Sequence, residues 1–173
     1  MTNIAIRFLN GNFTIVALLL ATLFATANPA NAQTARFVKA IEFEVRTGGD
    51  NLRGGNDNAF VAALCGDDMI GRGVVHVRCG GVLRLNAQRQ ELKDYTQAWR
   101  TVELLPRRSL ADIRQIVLFV EGFGGGFNGD NWNVDMLRVT AIMTDGRRIP
   151  LFEETGLRFT GNNRKFVRQI VMT

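Results

Sequence analysis

The chain has two cysteines, one histidine, three prolines and one tyrosine in 173 residues. A structural zinc centre normally takes four Cys or His ligands, and Cys65, Cys79 and His76 supply too few. Ser109 is the only serine of the exported part, and it follows Pro106-Arg-Arg108 rather than standing in a Gly-x-Ser-x-Gly nucleophile turn. The Gly124-Gly125-Gly126 run lacks the Gly-Lys-Ser/Thr ending of a phosphate-binding loop. Helix-length amphipathic stretches, internal repeats and long linkers are missing too. What is left favours a β domain without an evident catalytic set. A secreted hydrolase is the alternative, with Ser109 and His76 or acids among Glu42, Glu44, Glu121 and Asp135. Nothing in the spacing brings any of these together.

The N-terminus reads as a secretory signal peptide. Arg7 supplies the positive region, Phe13 to Ala27 the apolar run, and Ala30-Asn31-Ala32 the small residues before a cleavage point. The expected organisation is a signal peptide over 1–32 and a single domain over 33–173, secreted or periplasmic, with no membrane span in the mature chain. In that compartment Cys65 and Cys79 are expected to form a disulfide closing a short loop. Losing Arg7 lowers the formal charge from +5 to +4, which together with export argues against nucleic acid as a partner. The pairs Arg107-Arg108, Arg147-Arg148 and Arg164-Lys165 suit anionic lipid or glycan better.

Alternation of period two organises the rest. Ile41, Phe43 and Val45 point one way and Glu42, Glu44 and Arg46 the other, so Phe37–Thr47 is expected as a strand with one wet face. Further strands are expected over 59–65, 71–79, 82–85, 99–105 (stopping at Pro106), 113–121, 134–143, 149–152, 157–159 and 165–172, with a polar loop or one helical turn over 86–98. Strand 113–121 carries Ile116, Leu118 and Val120 on one side and Val117 and Phe119 on the other, which predicts a central strand covered on both faces. The pattern predicts an all-β antiparallel sandwich of about eight strands.

Two Gly/Asn/Asp-rich loops stand out: Thr47-Gly-Gly-Asp-Asn-Leu-Arg-Gly-Gly-Asn-Asp-Asn58 and Gly122-Phe-Gly-Gly-Gly-Phe-Asn-Gly-Asp-Asn-Trp-Asn-Val-Asp135. Their glycines and asparagines are first of all turn formers. Their oxygens also suit calcium, which takes carboxylate, amide and backbone ligands; the candidate set is Asp50, Asp57, Asn58, Asp130 and Asp135. Asp135 shares the parity of Leu137, Val139, Ala141 and Met143 and is expected at the rim of the core, where it needs hydrogen bonds or a cation. Three readings stay open to it: pinning the loops through backbone N–H groups, ligating the ion, or plain solvent exposure if the strand boundary lies elsewhere. Phe123, Phe127 and Trp132 are candidate surface-binding side chains, with core packing as the competing role for Trp132.

Val45-Arg46-Thr47-Gly48, a strand running into a Gly-rich loop, and Trp132-Asn133-Val134-Asp135, a unit entering a strand, together resemble the lipoxygenase-homology or PLAT domain. The resemblance implies an eight-stranded sandwich, calcium in the loops, and binding to lipid surfaces or protein partners. The Cys65–Cys79 pair, the Gly124–Gly126 loop and the basic tail depart from that pattern and leave a carbohydrate-binding jelly roll as a related alternative. The functional expectation is an exported, non-enzymatic module binding a lipid, glycan or protein surface with calcium assistance, or a structural or interaction protein without metal.

Overall fold

The computed structural model describes residues 37–53, 57–70, 73–87, 90–122 and 131–171, with backbone alone for 67–70 and 73–77. The signal peptide expected over 1–32 lies outside these residues. So do Phe123, Phe127, Asp130 and the Gly124–Gly126 run, and the His76 side chain.

Among the described residues nine strands follow in chain order: β1 Phe37–Thr47, β2 Asn58–Ile70, β3 Gly73–Arg78, β4 Leu83–Arg84, β5 Gln97–Ser109, β6 Ile113–Glu121, β7 Trp132–Met143, β8 Arg148–Phe159 and β9 Lys165–Gln169. A 3-10 turn, Leu110–Asp112, separates β5 from β6. All pairings are antiparallel: β5-β1-β7-β8 form one sheet and β3-β2-β6-β9 the other, with β4 also pairing β2. The β-sandwich expected from the alternation is therefore the fold.

Each sheet turns its period-two apolar residues inward. Ile41, Phe43 and Val45 of β1 and Leu137, Val139 and Ala141 of β7 meet Val61, Ala63, Ile116 and Leu118 of the second sheet in one core. Each fully buried Val, Leu, Ile or Phe contributes roughly 1.5–3 kcal/mol relative to exposure. The Cys65–Cys79 disulfide forms as expected and joins β2 to the residue after β3. Next to it Gly80 bridges Leu104 of β5, tying the two sheets together at that edge.

Four strand expectations need correction. The strand expected over 59–65 is β2, which runs on to Ile70 and pairs β3 there. β5 runs past Pro106 to Ser109. It is an edge strand of its sheet, where a missing N–H breaks no ladder bond. The two short strands expected over 149–152 and 157–159 are one, β8, with Gly156 at φ +69° inside it. Strand β6 is central, between β2 and β9, but no third layer of described residues covers its outer face. Its outward Val117 is shielded by lateral neighbours and Phe119 stays half-buried.

Candidate functional site

The end of β1, the starts of β2, β5 and β7 and the end of β6 meet at one end of the sandwich, where residues 48–50 lie against Asn133 at the start of β7. Backbone groups stitch them together. Gly48 N–H donates to Asn133 O at 2.8 Å, and Asn133 N–H donates to Asp50 O at 3.0 Å. The 92–96 segment closes the other side: Thr47 N–H donates to Thr96 O at 2.9 Å and Tyr95 N–H to Gly48 O at 3.3 Å. Leu52 and Leu92 exchange backbone bonds at 3.1 and 2.9 Å, and Leu52 is fully buried beneath the loop.

Asn86 secures the same end from inside. It is buried; its Oδ1 accepts from Ala59 N–H, and its Nδ2 donates to Asp57 O and Gln90 O, all at 3.0 Å. One side chain thereby ties the entry to β2 to the backbone at Gln90.

Asp135 departs from its expected place. Arg46 pairs with Met136 and Thr47 with Val134, so Asp135 is one extra residue on β7, a β-bulge. The inward set changes across it from Trp132 and Val134 to Leu137, Val139 and Ala141, while Met136, opposite Arg46, is covered on the outer face. On β8, Val134 faces Leu157 and Met136 faces Thr155, which leaves left-handed Gly156 opposite the bulge. The Asp135 side chain is 42% exposed, and its Oδ2 lies 3.9 Å from Arg46 Nε. A core-rim carboxylate needing burial-driven partners is not what forms; the bulge turns the group to solvent and toward Gly48. The pinning of the loops falls instead to the backbone of Asn133.

Trp132 is likewise corrected. It is fully buried, stacks on Phe159 with ring centroids 5.3 Å apart, and donates from Nε1 to Thr47 Oγ1 at 3.3 Å. The indole closes the core and offers no surface platform. Asp50 and Asp57 sit in the described loop and contribute backbone carbonyls to the bonds above; Asn58 opens β2 opposite Glu121. Among the described residues no three His, Cys, Asp or Glu side chains group closely enough to hold a metal. Calcium takes about six to eight oxygens, so the described donors by themselves do not fit a complete site.

One residue that belongs to this end went unread in the sequence. Tyr95 is 72% exposed and adopts φ 57°, a left-handed conformation that is an outlier for a bulky side chain. A Cβ added to Gly49 would come 2.8 Å from its hydroxyl, so the phenol lies over the glycine and projects outward. Lys93 and Arg53 are exposed in the adjoining segments. A lone aromatic in a polar stretch gives no periodic signal.

Of the acids weighed for hydrolysis, Glu44 accepts from Arg138 at 3.0 Å and Glu42 pairs with Arg148. Arg138 also reaches Glu153 at 2.8 Å. The Glu153 hydrogen bond and charge, then the charge of Glu44, raise the Arg138 pKa further above its ordinary value. Ser109 caps the 3-10 turn, its Oγ accepting from Ala111 N–H at 3.1 Å while its own N–H donates to Asp112. No helix among the described residues is long and apolar enough to cross a membrane.

No protein-family model and no curated protein matches the chain. Solved structures do. The alpha-toxin of Clostridium absonum superposes at TM-score 0.55 with 12% identity over 82% of this chain. The Clostridium perfringens alpha-toxin from an avian strain gives 0.54 and 13% over 80%. The chain spans about a third of the toxins' length, 34% and 32% respectively. A LOX chain matches at 0.45 and 17% identity, too loose a superposition to argue from. The sheet order and the two toxin superpositions give the described chain the PLAT-like, lipoxygenase-homology β-sandwich fold.

Proposed function

We propose that the protein is an exported, non-enzymatic binding module whose loop end engages an anionic lipid surface. PLAT-like sandwiches serve as membrane- or lipid-binding modules. The observation that carries the reading is Tyr95: an exposed aromatic held in a strained left-handed conformation over Gly49, on a loop end stitched rigid by backbone bonds. Strain of this kind costs about 1–3 kcal/mol and persists where the surrounding structure imposes it. An aromatic with a polar tip suits the boundary between headgroups and acyl chains. Lys93 adds local attraction to anionic headgroups, opposed in part by the exposed Glu91 and Asp94 beside it.

Calcium enters as a proposed assistant at this end, with Asp50, Asp57 and Asp135 as the described carboxylates. Arg46 already supplies a positive charge beside Asp135, which favours binding that proceeds without the ion. Co-sedimentation with phosphatidylserine-containing and neutral vesicles, each with and without millimolar calcium, tests both points. Binding to the anionic vesicles, weakened about tenfold (about 1.4 kcal/mol) by Tyr95→Ser, is the expected result. A native protein that stays in the supernatant under all four conditions would sink the lipid reading. Asp135→Asn that leaves binding unchanged in calcium would remove the ion from it.

A further inference from the structure

The two outer faces of the sandwich differ in chemistry. On the sheet built from β5, β1, β7 and β8, outward charges pair across strands: Arg138 with Glu44 and Glu153, and Arg148 with Glu42. On the other sheet, one register row reads Arg84, Phe60, Phe119, Lys165 from edge to edge. The next reads Ala62, Val117, Val167. A third places Arg78 beside Leu64, followed by Gln115. The centre of this face is therefore apolar, with Arg78 and Arg84 on one flank and Lys165, followed by Val167 and Gln169, on the other.

The apolar centre is an ordered surface. Phe60 and Phe119 stack with centroids 5.2 Å apart, and the Arg84 guanidinium lies 5.4 Å over the Phe60 ring. Beside them a depression of about 350 Å³ is lined by Ala62, Leu64, Val117 and Phe119, with Arg78 and Lys165 at its margins. An antiparallel sheet facing water ordinarily alternates apolar-in with polar-out. Strands β2 and β6 break that rule together, on the same patch.

Charge and width specify what fits. Neighbouring strands lie about 4.8 Å apart, so flanks separated by three strand spacings stand roughly 14 Å apart. An α-helix with its side chains is about 10–12 Å across. It can rest on β2 and β6 while carboxylates bordering its apolar stripe reach both cationic flanks. A second copy of this face would oppose cation to cation. We propose that this face docks an amphipathic helix of a partner protein whose apolar stripe is bordered by Asp and Glu. An apolar centre inside a charged rim is the usual anatomy of a protein interface. Glu121, outward on β6 at the loop end, biases that end of the helix toward a basic residue. This docking is independent of what the loop end binds.

The test uses the full chain and two synthetic helical peptides of about five turns, one with a leucine stripe bordered by Glu and its twin bordered by Lys. Fluorescence anisotropy should show binding of the acidic peptide alone. Arg78→Glu combined with Lys165→Glu, both at exposed positions, should weaken the acidic peptide at least tenfold and bring in the basic one, with unfolding temperature confirming an intact fold. The proposal is overturned by native protein that binds both peptides alike or neither, or by a reversal that leaves the acidic peptide unaffected. Phosphatidylserine vesicles that displace the bound peptide and lose their own binding on the same reversal would make the face a lipid surface instead, and would also overturn it.

Discussion

Gly48 and Asp135 compete for one volume: a Cβ built on Gly48 would lie 2.4 Å from Asp135 Oδ1 and 3.2 Å from the Asn133 Cβ. The requirement for glycine here is one of close approach. The bulge at Asp135 turns its carboxylate back over the β1 end, and the bond from Gly48 N–H to Asn133 O holds the two segments at that distance.

Gly48→Ala should therefore be costly chiefly because Asp135 is present. A cost of about 1–3 kcal/mol is expected from overpacking, partly relieved when Asp135→Ala is made in the same protein. Denaturant midpoints of the four proteins in a double-mutant cycle measure the coupling, expected at about 0.5–1 kcal/mol. Strict additivity would mean that the carboxylate swings aside freely and that the contact carries no energy.

Gly80 and Gly81 give a sharper contrast between neighbours. A Cβ at Gly80 would meet the Glu103 carbonyl oxygen at 2.2 Å, and that atom is backbone. At Gly81 nothing lies within 4 Å. Gly80→Ala should break the bridge to Leu104 and cost at least the roughly 1–3 kcal/mol of an overpacked site, whereas Gly81→Ala should change stability by no more than about 0.5 kcal/mol. Equal thermal midpoints for the two variants would contradict the bridge as a tie between the sheets.

Two strands were legible to their ends: β1 by its uninterrupted alternation, since one face must be buried, and β6 by a short apolar run bounded by polar residues. The failures lie where pairing across the sheet overrides local pattern. Asp135 counts as core-facing only if β7 has no extra residue, and the bulge is a property of the β1–β7 register. Pro106 stops an internal strand but not an edge strand, and edge status depends on sheet order. The loop end was legible as a place, since Gly/Asn/Asp clusters mark turns; its buried pin Asn86 and its exposed Tyr95 sit in a stretch without periodicity.

Asn86→Ala should destabilise more than a polar substitution in a loop would suggest. It removes the partners of Ala59 N–H, Asp57 O and Gln90 O at a buried position. Each buried group left without a partner costs about 1–3 kcal/mol, so a loss of roughly 2–4 kcal/mol is expected after water reaches the more exposed ones. Urea unfolding reads it directly, and a change under about 0.5 kcal/mol would show that Asn86 pins nothing.

The turn after β7 offers a titration. The Arg147 N–H donates to Asp145 Oδ1 at 3.0 Å and its guanidinium to Oδ2 at 2.6 Å. The backbone bond first, and the side-chain bond second, hold the Asp145 carboxyl below its ordinary 3.8. A depressed acid favours the fold above its unfolded pKa, and that contribution fades as pH falls through the folded value. Carbon-detected NMR titration should find the Asp145 midpoint low, raised in part by Arg147→Ala since the backbone donor stays. A full return to the ordinary value in that variant would assign the whole depression to the guanidinium.

Cys65 and Cys79, at a sequence separation of 14, crosslink β2 to the residue after β3. The chain-entropy account assigns such a crosslink about 3 kcal/mol. β3 is an edge strand paired only with β2, whereas β2 also pairs β6. Cleaving the bridge should therefore loosen the sheet unevenly: β3 amides lose protection first, while β6, held between β2 and β9, keeps most of its own. Hydrogen exchange on native protein and on Cys65→Ala/Cys79→Ala, beside urea midpoints, separates the two effects. Equal acceleration at β3 and β6 would make the bridge part of the globally cooperative unit and defeat the edge-fraying account.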